Sequence, residues 1–379
     1  MRAVAWTAYG PPSTLELVRV PRPAVRDHDV LIEVRAATVS AGDTEVRQLR
    51  LPRLIAIAFR IYVGVWRPRR ITVLGQEVSG VIAAVGSRVT KWRVGDEVVA
   101  ALGLAMGGYA EYVRLDENAI IVAKPTGVTH EAAAVLAVGG VEALQFLRQA
   151  QLEPGQSVLI NGAAGSIGTI AVQLAELAGA HVTAIDVSSK HDVLRSIGAH
   201  EVLEPGDTTL DTWTTPFDAL FDVVGAMPVA HALRVVKRGG TLLVASPRSR
   251  HSRCGRRRAR FAGVSLITQP RGSATKDLAW LSDRVAVGAL VPVVGHTYPL
   301  ERAAEAHLFV ESGMKRGGVV LALGDDAGPT TVPVEVGDPP ERFHVNPCGR
   351  SPGRVAPPLE RPSRSTSAMT RLSATPPAA

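Results

Sequence analysis

The stretch Ser157–Asp186, SVLINGAAGSIGTIAVQLAELAGAHVTAID, constrains this chain more than any other. A short apolar run, Val158–Ile160, has strand character. A turn follows with glycines at Gly162, Gly165 and Gly168. Ile167, Ile170, Ala171, Leu174 and Leu177 then recur at helical spacing, which gives a helix one apolar face. Gly179 stands where such a helix ends, and Val182–Ile185 reads as a second strand that stops at Asp186. Strand, glycine turn, helix and strand in this order form the unit that a dinucleotide site needs.

Each glycine answers a separate physical demand: a tight turn, close backbone approach to a pyrophosphate, and tight packing of helix on strand. The residues expected to cradle phosphate are Gly162, Ala163, Gly165, Ser166, Ile167 and Gly168, because the first N–H groups of a helix are free to bind an anion. The Asp186 carboxylate stands where it can accept hydrogen bonds from a ribose diol. The pattern is G-x-x-G-x-x-G, with Ala163 where the commoner fingerprint has its first glycine. A glycine turn in some other α/β protein is the competing reading.

With 379 residues the chain has room for about two domains, and 46% hydrophobic content supplies their cores. The two cysteines, Cys254 and Cys348, have no ligand cluster beside them. A cysteine-rich zinc site is thereby excluded, and the usage suits a reducing compartment, here the cytoplasm. The net charge of +7 is local: Arg248, Arg250, Arg253, Arg256, Arg257, Arg258 and Arg260 crowd into one stretch without an acid. That stretch reads as a basic loop. Met1–Gly10 lacks a signal pattern. Leu51–Trp66, LPRLIAIAFRIYVGVW, is too short to span a membrane and is interrupted by Arg53 and Arg60. It reads as a buried or cleft-lining segment in preference to an interfacial helix.

Residues 1–121 read mostly as short strands punctuated by turns at Gly10-Pro11-Pro12, Ser40–Asp43 and Gly86-Ser87, the pattern of a small barrel. From about residue 125 strands alternate with helices, as in a doubly wound parallel sheet. Glu131–Ala150 reads as a helix broken at Gly139-Gly140. After Gly324 the tail holds eleven prolines, no lysine and no sustained periodicity, so 325–379 is expected to be disordered.

Several short motifs fall in order along the chain: Arg2-Ala3-Val4 with Tyr9–Pro12, GQEVSG at Gly75–Gly80, VGDEV at Val94–Val98, YAEY at Tyr109–Tyr112, the Gly162–Gly168 turn, and Gly317-Gly318-Val319-Val320. Over about residues 1–324 the sequence resembles the medium-chain dehydrogenase/reductase superfamily, in its zinc-free quinone-oxidoreductase and enone-reductase branch. The resemblance implies an α/β fold. A GroES-like barrel catalytic domain would comprise 1–122 and 292–324, and a Rossmann domain 123–291. The active site would lie in the cleft between them, with NADPH or NADH as cofactor; many members are homodimers.

The same resemblance bears on metal and site residues. Zinc-dependent relatives carry a Cys within the stretch matching Ser40–Asp43 and a His at the position of Gln76. This chain has neither, and amide and hydroxyl groups replace thiolate and imidazole poorly. No metal is therefore expected. Ser40 and Asp43 fall where the branch has its polar substrate-side turn, with Ser40 in place of the usual Asn. They are the candidate catalytic residues, and Asp43 also reads as a turn or cap residue. Glu142 replaces a common Thr near the nicotinamide. Val224, Gly225, Ala245 and Ser246 end two strands beside the nicotinamide ribose, and Ser189 and Lys190 follow Asp186 towards the adenosine ribose. Asp186 favours NADH, with NADPH tolerated if Lys190 turns inward.

The leading functional expectation is hydride transfer from the nicotinamide to a quinone or an α,β-unsaturated carbonyl, with no nucleic acid and no membrane span involved. An alcohol dehydrogenase is disfavoured by the missing zinc ligands. The rival from another class is a non-catalytic nucleotide sensor that binds RNA through Arg248–Arg260. Phe261 is the one aromatic beside that run, so base stacking has little support.

Overall fold

Alternating apolar residues near the N-terminus build a first sheet in the computed structural model, which describes residues 1–206, 215–225, 227–245 and 253–324. All of these lie in one unit, Met1–Val345. Ser246, Arg248, Arg250 and the tail from 325 onward fall outside the described residues. Strands β1 (Arg2–Trp6) and β2 (Leu15–Arg19) pair antiparallel. The ten-residue β3 (Asp29–Thr38) pairs antiparallel with β4 (Glu77–Val85). β5 (Glu97–Ala101) follows beside β4, β6 (Tyr112–Asp116) pairs with β3, and β7 (Ile120–Ala123) pairs with β5. Val30, Ile32 and Val34 of β3 pack with Trp6, Val78, Ile82 and Val98 in one apolar core. Each such side chain contributes about 1.5–3 kcal/mol through burial.

Two helices interrupt this β region where the sequence predicts strands and turns. Helix α1 (Ala41–Gln48) begins at Ser40. The Ser40 hydroxyl accepts from the Asp43 N–H, and the Asp43 carboxylate accepts the Ser40 N–H. Ser40–Asp43 is therefore a capping box rather than a free-standing turn. Leu49, in the left-handed region at φ 54°, ends α1 and redirects the chain.

Of Leu51–Trp66, expected to be buried or to line a cleft, Arg53–Val63 forms helix α2, and most of it is exposed. Only the stripe Ala56, Phe59 and Val63 turns towards the body, with Val63 buried and Phe59 packed on the core. The reason is periodicity: a helix that is apolar all round has more apolar faces than the barrel has room to cover.

The second half is the doubly wound layer. Helix α3 (His130–Ala134) leads into a π-helical turn at Leu136–Gly140 and then α4 (Val141–Ala150). The expected break at Gly139-Gly140 is thus a widened turn within a continuous helical path. β8 (Ser157–Asn161), α5 (Ser166–Leu177), β9 (His181–Ile185), α6 (His191–Ser196) and β10 (Glu201–Leu203) form its first half. β11 (Phe217–Asp222), α7 (Val229–Val235), β12 (Val236–Val244), α8 (Arg253–Ala262), β13 (Ser265–Ile267) and α9 (Ala274–Ala286) form the second. The six parallel strands run β10-β9-β8-β11-β12-β13. The order reverses between β8 and β11, and an open parallel sheet binds its ligand at the carboxyl ends beside such a reversal.

Within its described part, the basic stretch is helix α8 and not a loop. Arginine is a good helix former. Gly255 and Ala259, four residues apart, are buried on one side, while Arg256, Arg257, Arg258 and Arg260 face solvent.

The chain then returns to the first sheet. β14 (Val294–Pro299) and β15 (Gly318–Ala322) are parallel to each other, with α10 (Ala303–Glu311) between them, and β15 pairs antiparallel with β3. The segment entering β15 passes the glycine turn: Gly317 donates its N–H to the Ala164 carbonyl at 2.7 Å.

Candidate active site

The glycine turn sits between β8 and α5. Gly162 has φ +78°, and a Cβ there would stand 2.4 Å from the Val224 side chain. A Cβ on Gly168 would fall 2.4 Å from the Gly162 carbonyl oxygen, so α5 packs on the turn at a distance only glycine permits. The N–H groups of Gly162 and Ala163 are spent on the Ile185 carbonyl. Gly165 caps α5 without a side-chain hydrogen bond, which leaves the first N–H groups of a twelve-residue helix for an anion. Ile167 packs on the core, and Ser166 meets a cation: Lys315 donates from Nζ to the Ser166 Oγ at 2.8 Å. Burial lowers the Lys315 ammonium to about 8.

Asp186 is buried at the end of β9, and its carboxylate already has partners. Oδ2 accepts the Ala164 N–H at 3.0 Å, and Oδ1 accepts the Val187 N–H and the Lys190 ammonium. Lys190 is itself buried and also donates to the Gly313 carbonyl. Lys190 is therefore held against Asp186 instead of lying in a solvated loop; Ser189 is exposed beside it. At the end of β11, the buried Asp222 accepts from the Asn161 amide and from the Gly225 and Met227 N–H groups. It thereby shapes the loop carrying Val224, which is half exposed, and Gly225. Ala245, at the end of β12, donates its N–H to the Asp222 carbonyl.

On the barrel side, Asp43 is fully buried. Its Oδ2 accepts both the N–H and the hydroxyl of Ser40, the latter at 2.6 Å, and its Oδ1 accepts the Gly75 N–H. Burial pushes the Asp43 carboxyl up against the lowering effect of these bonds. Glu77, also buried, accepts from the Thr38 hydroxyl and from the N–H groups of Val138 and Gly139. A Cβ on Gly139 would in turn lie 3.4 Å from Ser166. Glu77 therefore ties the barrel to the π-helical turn, and that turn abuts the glycine turn. Glu142 follows in the first turn of α4, where burial and the Glu77 charge push its carboxyl up to about 7.

Comparison with known proteins matches two stretches of the chain, one on either side of the glycine turn. Residues 26–126 match the alcohol dehydrogenase GroES-like domain, and 197–321 match a zinc-binding dehydrogenase family. The quinone-oxidoreductase homolog of the chloroplast of Spinacia oleracea is 32% identical over 59% of this chain and 67% of its own length. The quinone oxidoreductase of Lama guanicoe is 29% identical over 85% of this chain and 98% of its own. The solved quinone oxidoreductase of Coxiella burnetii superposes with a TM-score of 0.77 at 27% identity, covering 86% of this chain and 99% of that one.

The chain belongs to the medium-chain dehydrogenase/reductase superfamily, in its quinone-oxidoreductase branch.

A medium-chain dehydrogenase/reductase of this branch is an oxidoreductase, and membership implies a nicotinamide cofactor. The turn fits one: an uncapped helix start, a cation at Ser166 and glycines where side chains would fill the cradle. Zinc is a different matter. A Cβ on Gly42 would stand 3.4 Å from both the Gln76 amide nitrogen and the Ser40 hydroxyl, so these two groups occupy the substrate-side turn. The Ser40 hydroxyl is engaged with Asp43, and the Glu77 oxygens are engaged with Thr38 and two backbone N–H groups. This donor set, without thiolate or imidazole, does not fit a catalytic zinc. Among the described residues no three His, Cys, Asp or Glu side chains gather into a metal site.

Sequence reasoning missed Lys315, Glu77 and Asp222 in this superfamily member. Glu77 lies inside GQEVSG and Lys315 stands two residues outside the Gly317-Gly318-Val319-Val320 motif, and neither position signals a role by itself. Asp222 carried no local signal.

Proposed function

We propose that this protein is a zinc-independent, NAD(P)H-dependent reductase that passes hydride to a quinone or an α,β-unsaturated carbonyl. The observation that carries the reading is the substrate-side turn. Its polar groups are the Ser40 hydroxyl and the Gln76 amide, with the Asp43 carboxylate as acceptor behind them and no thiolate or imidazole, a set suited to an already electrophilic acceptor rather than to a metal-activated alcohol. Relatives known as quinone oxidoreductases favour the quinone.

The bound nicotinamide supplies the hydride. Ser166, Ile167 and Gly168 hold the pyrophosphate on the start of α5, Gly162, Ala163 and Gly165 shape the turn beneath it with their N–H groups bonded to backbone carbonyls, and Lys315 adds a positive charge. Val224, Gly225 and Ala245 border the nicotinamide ribose at the carboxyl edge of β11 and β12; Ser246, assigned the same role, is outside the described residues. Asp186 takes the adenosine ribose. NADH is favoured, because a 2′-phosphate would approach a carboxylate, while the paired Lys190 softens that repulsion. The Ser40 hydroxyl, whose proton rests on the Asp43 carboxylate, turns it to oxyanion character developing on the acceptor, while the Ser40 and Asp43 N–H bonds keep the turn in place. Asp43 is a positioning residue, since its carboxylate is closed off from the reacting atoms and fixes Ser40. The proton that completes reduction comes from solvent. A homodimer belongs to the same reading.

A panel of quinones, enones and alcohols, assayed with each coenzyme before and after chelator treatment, tests the proposal. Chelator-resistant oxidation of NADH with a quinone or an enone is the expected result. Turnover restricted to alcohols, or abolished on removal of stoichiometric zinc, overturns it.

A further inference from the structure

Helix α2 was not absorbed by the cofactor site or the substrate-side turn. Its outward face is apolar and uncovered: Leu54 is 83% exposed, Ile61 70%, and Trp66, just beyond the helix, 87%. Ile55, Ile57 and Tyr62 are also exposed large apolar groups on the same helix. Soluble surfaces rarely carry a contiguous apolar patch beyond a few hundred Å², and larger ones mark docking sites.

The surrounding charge identifies what docks there. Arg53, Arg60, Arg67, Arg69 and Arg70 are all exposed around this face. No Asp or Glu occurs between Glu45 and Glu77. None of the five pairs with a carboxylate among the described residues. Arg70 lies over the Tyr62 ring at 4.1 Å, and Arg60 donates to the Val65 carbonyl. An apolar helix face with arginines beside it and Trp and Tyr at one end is the composition of a helix lying in a lipid–water interface. A second copy is a worse occupant, because two-fold pairing of this face would bring arginines onto arginines with no acid to receive them.

We propose that the α2 face docks on the surface of an anionic phospholipid bilayer, with Leu54, Ile57 and Ile61 entering the acyl boundary and the five arginines meeting the headgroups. The helix lies in the interface and does not span it; at eleven residues it is about 16 Å long. The chain leaves for this face just after α1 and returns at Gly75, whose N–H meets Asp43. The docking surface and the substrate-side turn therefore share one excursion of the chain.

Co-sedimentation of the full chain with vesicles tests this. One set is phosphatidylcholine alone, and the other replaces about a quarter of it with phosphatidylglycerol. Binding is expected to the anionic vesicles, to fall with added salt, and to be weak on phosphatidylcholine. Leu54→Asp with Ile61→Asp should lower partitioning by roughly tenfold or more. Arg67→Glu with Arg69→Glu should lower it on anionic vesicles only. Tryptophan emission should shift to the blue on binding, and Trp66→Phe should remove the shift. Circular dichroism and NADH binding report that each variant is folded. Absence of wild-type binding overturns the proposal, as does binding that the Asp substitutions leave unchanged. A dimer mass in solution that Leu54→Asp converts to monomer also overturns it, and assigns the face to a second copy.

Discussion

Lys315 donates to Ser166 across the seam between the returning segment and the glycine turn, at 2.8 Å. Two further bonds flank it: Lys190 to the Gly313 carbonyl and Gly317 to the Ala164 carbonyl. The loop before β15 thus meets the glycine turn through Gly317 and the Asp186-bound Lys190 through Gly313, with Lys315 between them in sequence.

Lys315→Met is therefore expected to weaken NADH and NADPH binding alike, by roughly tenfold, since a pyrophosphate is common to both. Wild-type affinity should also decline above about pH 8, as the ammonium deprotonates, and the variant should lack that decline. Fluorescence titration of each coenzyme checks it. Unchanged dissociation constants would remove Lys315 from the site.

Asp186 and Lys190 give a coenzyme prediction with two readouts. Asp186→Asn keeps an acceptor and removes the charge, so the ratio of kcat/KM for NADPH over NADH should rise about tenfold. It also leaves a buried lysine without its carboxylate, so thermal stability should fall. A stability loss with no change in the ratio would make the pair purely structural.

Glu142 sets a stability trend with pH. Its folded-state carboxyl is raised from an ordinary 4.5 to about 7. Between those values the unfolded chain ionises there while the folded protein does not, so stability falls as pH rises and levels off above about 7. Glu142→Gln removes this term, and should be more stable than wild type by about 2 kcal/mol at pH 8, with the difference fading towards pH 4.5. Denaturant melts across the range measure it; parallel curves for the two proteins would contradict it.

His307 works in the opposite direction. It is fully buried on α10, edge-on to Tyr109 with ring centroids 5.7 Å apart, and burial lowers it to about 3. The unfolded imidazole protonates near pH 6.5, so the folded state loses stability as pH falls below that value. His307→Leu should flatten the acid limb, sparing about 2 kcal/mol at pH 5. An acid midpoint identical to wild type would show that other groups govern acid unfolding.

The glycine turn and its strand–helix–strand frame were legible because they are local: spacing sets the helix, and the turn's demands fall on adjacent residues. The Ser40-x-x-Asp43 spacing also held a capping signal, and Asp43 reads as a turn or cap residue; the helix that it starts goes unread because residues 1–121 read mostly as strands. The basic stretch was misread for a related reason, since charge pattern alone does not reveal that Gly255 and Ala259 share a buried helix side.

By itself the sequence determined the strand–helix alternation of the second half, the dinucleotide frame and the family, because periodicity, turn chemistry and motif order reside within short windows. Tertiary structure alone decided which groups converge. Lys315 reaches Ser166 across 149 positions, Glu77 reaches Gly139 across 62, and α2 keeps its apolar face in the open. The physical reason is that a side chain's partner and its burial are set by what packs beside it. For these residues that neighbour comes from distant chain, and for α2 the barrel covers one stripe and leaves the rest bare.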